Sequence, residues 1–150
     1  MLKTSDDAAL LIMRIVIGVV FFPHGAQKVF GWFGGYGYSG TMAFFTGAGI
    51  PAFLAFLAIM AEFLGSLGLV TGLLTRLAAF GIGVNMVVAI FLVHLPNGLF
   101  MNWTGKQAGE GFEYHLLVIA IAISLVMKGA GLWSVDKWLH GKLSSGKSSK

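Results

Sequence analysis

From Ala8 to Phe30 the chain reads AALLIMRIVIGVVFFPHGAQKVF, an apolar run in which Arg14 and Lys28 are the only formal charges. A helix needs roughly 20 apolar residues to cross a bilayer, and this run is long enough. It is not a cleavable signal peptide. It exceeds an h-region in length, Asp6 and Asp7 precede it, and no small-x-small cleavage site follows. Three further apolar runs lie at 52–73, 77–95 and 114–127. The last is short and needs Gly111 and Phe112, or residues after Lys128, to complete a crossing. Four spans predict an all-α integral membrane protein, a four-transmembrane-helix bundle formed as one domain by residues 1–143.

Composition agrees. The 150 residues are 57% hydrophobic and 11% charged, with a mean hydropathy of +0.84. Soluble domains carry about 25% charged residues. The formal net charge of +4 does not indicate nucleic acid, because the positive residues flank apolar spans and build no basic face. With no cysteine there is no disulfide, thiolate metal site or thiol nucleophile.

Lys and Arg set the topology. Lys3, Arg14, Arg76, Lys128, Lys137, Lys142, Lys147 and Lys150 fall on one side of the four spans, and only Lys28 and Lys106 on the other. The positive-inside rule places both termini in the cytoplasm of a bacterial inner membrane. Trp32 and Trp103 mark the outer boundary, Trp133 and Trp138 the inner one. The loop GWFGGYGYSGTMAFFTGAGIP, 31–51, reads as a re-entrant or interfacial segment with Met42, Phe44 and Phe45 in the headgroups. Its Gly35-x-Gly37-x-x-Gly40 is no dinucleotide fingerprint, since it follows a membrane helix and leaves no room for a βαβ unit. Residues 132–143 predict a short C-terminal interfacial helix with Ser134 as N-cap, and 144–150 a disordered polar tail. FFPHGAQKVFGW and FLVHLPNGLFMNW echo one another weakly, as a two-hairpin repeat would.

Ionisable groups inside spans are costly and therefore functional candidates. These are Arg14, His24, Gln27, Lys28, Glu62, Asn85, His94, Asn97, Glu113 and His115, each of which has interhelical hydrogen bonding as its structural alternative. Glu62 shares a stripe with Ala58, Ala61, Gly65 and Gly72, which turns it toward the bundle interior. Side chains tilt toward their own helix N-terminus, so His24 and Glu62 are expected to lean together. Arg14 is the rival partner. His24, Gln27 and Lys28 share a face at i, i+3, i+4. His94, Glu113 and His115 complete a polar layer in the outer half, and Pro23 and Pro96 are expected to loosen the helices beside both histidines.

The segments LIMRIVIGVVFFPHGAQKVFGWFGG, FFTGAGIPAFLAFLAIMAEFLGSLGLVTGLLTRLAA, VAIFLVHLPNGLF and GFEYHLLVIAIAISLV together resemble the DoxX family of small bacterial membrane proteins. PHG-x-x-K, GIP, AE-x-x-G, G-x-x-TR and H-x-x-NG occur in order, and the likeness spans about residues 10–139. His24, Lys28, Glu62, Arg76, His94 and Asn97 fall on these motifs. His115 departs from the pattern, which has an apolar residue or proline after Glu-Tyr. The resemblance implies four helices in the inner membrane and links to quinone reduction, sulfur metabolism and oxidative stress. The reading that follows is a quinone-binding redox protein. His24 and Glu62 form its acid–base pair; Lys28, Gln27, Trp32, His94, Asn97 and Glu113 contact the substrate; Arg14, Arg76 and Asn85 are structural. Trp32 or Phe33 would stack on the ring. Haem or a metal is not expected, for no HExxH-like spacing occurs. Without a flavin or iron–sulfur motif the electrons require a partner redox subunit, and a homo-oligomer is the other assembly expected. A membrane scaffold and a small-molecule carrier are the competing classes.

Overall fold

A computed structural model describes residues 2, 4 and 6–145. Among the described residues the fold is all-helical, without a strand. Six α-helices follow in order: α1 (Ala8–Phe30), α2 (Gly37–Gly47), α3 (Ala52–Thr71), α4 (Thr75–Ala89), α5 (Glu113–Lys128) and α6 (Val135–Ser145). Asp7 caps α1, its Oδ1 accepting from the Ala9 amide at 2.7 Å. Gly31 and Gly72 take left-handed backbone and end α1 and α3. Pro23 lies inside α1 without interrupting it, whereas the chain before Pro96 widens into a π-turn at Ile90–His94 and tightens into a 3₁₀ turn at Leu95–Asn97. The expected loosening is thus real only beside His94. The two echoing segments differ in backbone.

Three segments, Ala8–Phe30, Ala52–Thr71 and Thr75–Asn97, are long and apolar enough to cross a membrane. The fourth helix, α5, has 16 residues. At 1.5 Å per residue it is about 24 Å long, short of a hydrocarbon core of about 30 Å. The 31–51 loop holds a 3₁₀ turn at Trp32–Gly34 and then α2, which packs on α1 and α3 with Thr41 buried and Phe44 exposed. The interfacial helix predicted at 132–143 is α6, and Ser134 Oγ accepts from the Lys137 amide at 3.2 Å. Of the predicted tail, Ser144 and Ser145 extend α6, and 146–150 lie outside the described residues.

The long helices pack in chain order, α1 on α3, α3 on α4, α4 on α5, with α1 meeting α5 to close the bundle. Ile17, Phe21, Leu69, Ile82, Met86, Val118, Ala122 and Leu125 fill the centre. Glycine sets the α1–α3 spacing. A Cβ on Gly18 would lie 2.7 Å from the Val70 side chain, and one on Gly25 would lie 2.6 Å from Phe63 Cα. Both contacts obey one antiparallel register. It sets Ala26 level with Glu62, Lys28 two residues toward the loop end of α1, and His24 two residues toward its start.

Charged side chains tie the end that carries the described termini. Arg14 is 1% exposed. Its Nε donates to Ala130 O at 2.9 Å, Nη1 to Leu69 O and Val70 O at 3.0 and 2.7 Å, and Nη2 to Leu132 O and Trp133 O at 3.1 and 2.6 Å. A guanidinium has five N–H donors, and all are used. The buried Asp136 of α6 accepts from Leu74 N at 2.8 Å and Thr75 N at 2.9 Å, capping α4 from a distance. Arg76 donates to Val126 O and Met127 O at the end of α5. Each charge matches its helix terminus: cation at C-terminal carbonyls, anion at N-terminal amides.

Candidate functional site

Glu62 is buried midway along α3, and its partner is Lys28, not His24. Lys28 Nζ donates to Glu62 Oε2 at 2.5 Å, and lies 3.5 Å from His24 O. The register explains the exchange. Lys28 and His24 are equally distant in height from Glu62, about 3 Å each at 1.5 Å per residue. Glu62 tilts toward the start of α3, at the loop end, and α1 side chains tilt away from that end. Lys28 therefore leans into Glu62, whereas His24 leans past it. His24 is exposed, and its ring meets Phe21 at 6.1 Å. Arg14, the other expected partner, is held at the opposite end of the bundle.

Lys28 also borders a cavity of about 250 Å³, lined by Gln27, Lys28, Gly34, Gly35, Tyr36, Thr41, Phe44 and Phe45. Gln27 Nε2 donates to Phe33 O at 3.2 Å. A Cβ on Gly35 would sit 2.3 Å from Gln27 O, so only glycine lets this loop fold back onto α1. Trp32 packs at a tilt against Phe30, ring centroids 5.0 Å apart, and is not among the cavity residues. The cavity thus combines an ammonium, a carboxamide and three aromatic rings. The sequence assigns Phe44 and Phe45 to the headgroup layer and not to a binding site, and it does not single out Tyr36, since all three belong to an aromatic-rich loop with no visible periodicity.

The remaining polar residues form a second group around the 98–111 loop. His94 Nδ1 donates to Glu110 O at 2.8 Å, and Asn97 Nδ2 donates to the same oxygen at 3.2 Å. Glu113 Oε1 accepts from Met101 N at 2.8 Å and Trp103 Nε1 at 3.3 Å, while Glu110 Oε2 accepts from Asn102 N at 2.7 Å. His94, Asn97 and Glu113 therefore shape this loop. The His94 and His115 rings lie 4.1 Å apart, and Tyr114 packs edge-on to His115 at 5.6 Å. Asn85 Nδ2 donates to Ala58 O at 2.8 Å and joins α4 to α3. The single outer layer expected from sequence is two groups, one on α1–α3 and one on α4–α5. Among the described residues no three His, Asp or Glu side chains converge to hold a metal ion. Asp136 and Tyr114 were missed. Asp136 had one signal, an acid two residues after a serine cap. Tyr114 had none.

A model of the DoxX family matches residues 9–95. "Inner membrane protein YqjF" of Escherichia coli is 30% identical over 94% of this chain and 99% of its own length. "Putative oxidoreductase CatD" of Bacillus subtilis is 25% identical over 92% of each chain. An uncharacterized membrane protein of Mycobacterium tuberculosis is 30% identical over 97% of this chain and 90% of its own. No solved structure matches.

Proposed function

Because this chain belongs to the DoxX family of bacterial inner-membrane proteins, we propose that it is a quinone-linked redox subunit. In this reading four helices span the membrane, both termini are cytoplasmic, and a quinone ring binds between α1 and α2. The observation behind it is the half-buried Lys28–Glu62 pair at the edge of an aromatic cavity. The oxidoreductase name of the Bacillus subtilis relative supports the class of reaction.

A quinone needs apolar walls and hydrogen-bond donors at its carbonyl oxygens. Tyr36, Phe44 and Phe45 supply walls; Lys28 and Gln27 supply donors. Drug-sized ligands occupy roughly 300–1,000 Å³. A cavity of about 250 Å³ suits one ring whose isoprenoid tail stays in lipid. His24, exposed one turn nearer the bilayer middle, borders the approach from lipid. When bound, a quinone supplies the electron-accepting carbonyls, and its reduction takes up electrons and protons in equal number. The electrons come from a partner subunit bearing a flavin or an iron–sulfur centre. Lys28 is the proton donor nearest the carbonyl. Glu62 re-protonates Lys28 and holds the ammonium in place between turnovers.

Quinone binding tests the reading, measured as thermal stabilisation of the protein in nanodiscs by short-chain ubiquinone and menaquinone analogues. Wild type should be stabilised saturably. Lys28→Met should abolish the effect, and Gln27→Leu, which leaves the ion pair intact, should weaken it. His94→Ala should bind normally. A wild type that responds to neither quinone class would overturn the proposal and leave a membrane scaffold as the better account.

A further inference from the structure

Beyond Gly131 the sequence carries four lysines, Lys137, Lys142, Lys147 and Lys150, and a single acid, Asp136. That acid is turned inward. Its two carboxylate oxygens accept from Leu74 N and Thr75 N, so it is engaged at α4 and not at the outer face of α6. The helix is firmly seated as well. Asp136 N donates to Gly72 O at 2.9 Å, and a Cβ on Gly72 would lie 2.5 Å from Ser134 Cβ.

The outward face of α6 holds a groove of about 520 Å³, lined by Trp133, Ser134, Lys137, Trp138, Gly141 and Lys142. At about 3.6 residues per turn, positions 134, 137, 138, 141 and 142 cover one broad face, with Lys137 and Lys142 at its borders and Gly141 between them. A Cβ on Gly141 would meet nothing within 4 Å. The Lys142 ammonium lies 4.2 Å from the centre of the Trp138 ring. Lys137 Nζ is 2.5 Å from Asp6 Oδ1, and both side chains are exposed, so this ion pair is weak and open to exchange. Trp133 has a φ of 48°, a left-handed backbone that strains a bulky residue and suits glycine. Arg14 holds it there through the Trp133 carbonyl, at 2.6 Å. Yet the position carries an indole that is 85% exposed, and Trp138 in the same groove is 58% exposed. Exposed indoles are favoured at the headgroup level of a bilayer, where the ring is covered and the N–H stays wet.

We propose that this groove binds the headgroup of an anionic phospholipid, in the leaflet at the end of the bundle that carries the described termini. Two outward indoles and two ammoniums around one groove are complementary to a phosphodiester joined through glycerol to acyl chains. Lys142 and Lys137 face the phosphate, which takes the place of Asp6 on Lys137. Trp133 and Trp138 cover the glycerol and the upper part of the chains. Gly141 leaves room for the headgroup between the two lysines. The site needs no quinone and lies at the opposite end of the bundle from Glu62. Its charge preference has a general cause, for basic residues beside a membrane helix are drawn to anionic lipid. What α6 adds is a fixed position, since the Asp136 cap, the Gly72 contact and the Arg14 clamp hold the groove in place.

Native mass spectrometry of the full chain, released from detergent, counts bound lipids during titration with phosphatidylglycerol or phosphatidylcholine. The first phosphatidylglycerol should bind on the order of tenfold more tightly than the first phosphatidylcholine, and Lys137→Gln and Lys142→Gln should each weaken it about fivefold, the scale of one lysine at an anionic surface. Lys106→Gln, the same change of charge in the 98–111 loop, should leave the affinity unchanged. Gly141→Leu fills the groove without altering charge, enters empty space and replaces a glycine inside a helix, so the fold is retained. It should abolish the preference. Equal affinity of the wild type for the two lipids, an equal loss in Lys106→Gln, or a wild-type preference in Gly141→Leu would each overturn the site. Soluble glycerol phosphate that binds as tightly as the lipid would assign the groove to a solute, and a dimer that takes up no phosphatidylglycerol would assign it to a second copy of the chain; either result would overturn the lipid.

Discussion

Replacing Arg14 by lysine separates charge from geometry at the most heavily bonded side chain of the bundle. Arg14 makes five hydrogen bonds, spread over the end of α3 and the chain after α5. Lysine keeps the charge but offers three donors from a single point. At least two carbonyls then lose their partner. Leu69 O retains the Gly72 amide at 3.3 Å, so the loss falls on Val70, Ala130, Leu132 and Trp133. At about 1–2 kcal/mol for each carbonyl left bare, Arg14→Lys should cost roughly 2–4 kcal/mol. Arg14→Met removes all five bonds and should cost about 3–5 kcal/mol, the scale of breaking a buried charged network. Reversible unfolding of purified protein in mixed micelles, titrated with a denaturing detergent, measures both. If Arg14→Lys were as stable as wild type, the fork geometry would be irrelevant and only the charge near the helix ends would count. If Arg14→Met were as stable as wild type, the clamp would not hold the bundle at all.

Two further outcomes follow from close contacts. Gly25→Ala should destabilise by about 1–3 kcal/mol, because its Cβ would lie 2.6 Å from Phe63 Cα, and backbone must move to admit it; the same unfolding titration reads it, and Gly47→Ala, with nothing within 4 Å, is the control. Asp136→Ala should cost about 1–2 kcal/mol by uncapping α4, and hydrogen exchange should rise at Leu74 and Thr75, whereas Asp136→Asn, which keeps one acceptor oxygen, should lose about half as much. Unaltered exchange at both amides in Asp136→Ala would show that α4 does not depend on α6.

Much of this fold could be read from the sequence because a bilayer narrows the choices. An apolar run of the length of Ala8–Phe30 has few fates, and three of the expected spans are helices of sufficient length. The fourth is harder. Sequence placed its weakness at Gly111, Phe112 and Lys128, and α5 begins at Glu113 and ends at Lys128. The flanking glycines give the reason, since Gly129 adopts φ 89° and Gly111 packs onto the Gly98 and Phe100 carbonyls. The Arg14 clamp was out of reach. Its acceptors lie 55 to 119 residues away, and backbone carbonyls leave no trace in side-chain patterns.

The exchange of His24 for Lys28 shows where such reading stops. The tilt argument was sound: α1 and α3 side chains do lean toward one another near Glu62. What it lacked was the relative height of two antiparallel helices. A shift of about 6 Å, four residues of helix rise, would put His24 where Lys28 now reaches the carboxylate. That height is fixed by Gly18 and Gly25, which allow α1 to seat against Val70 and Phe63, and glycine announces close approach without naming its partner. The same limit applies to His115. Its sequence position marks it as unusual, but only the π-turn that swings His94 toward it makes a pair. A π-turn is set by the register of the backbone bonds ahead of Pro96, and no residue type encodes it alone. Candidate residues were therefore legible one by one from their cost in a membrane. Their partners were not, because partnership here depends on helix heights and one backbone irregularity, and each of these moves a side chain by only a few ångströms.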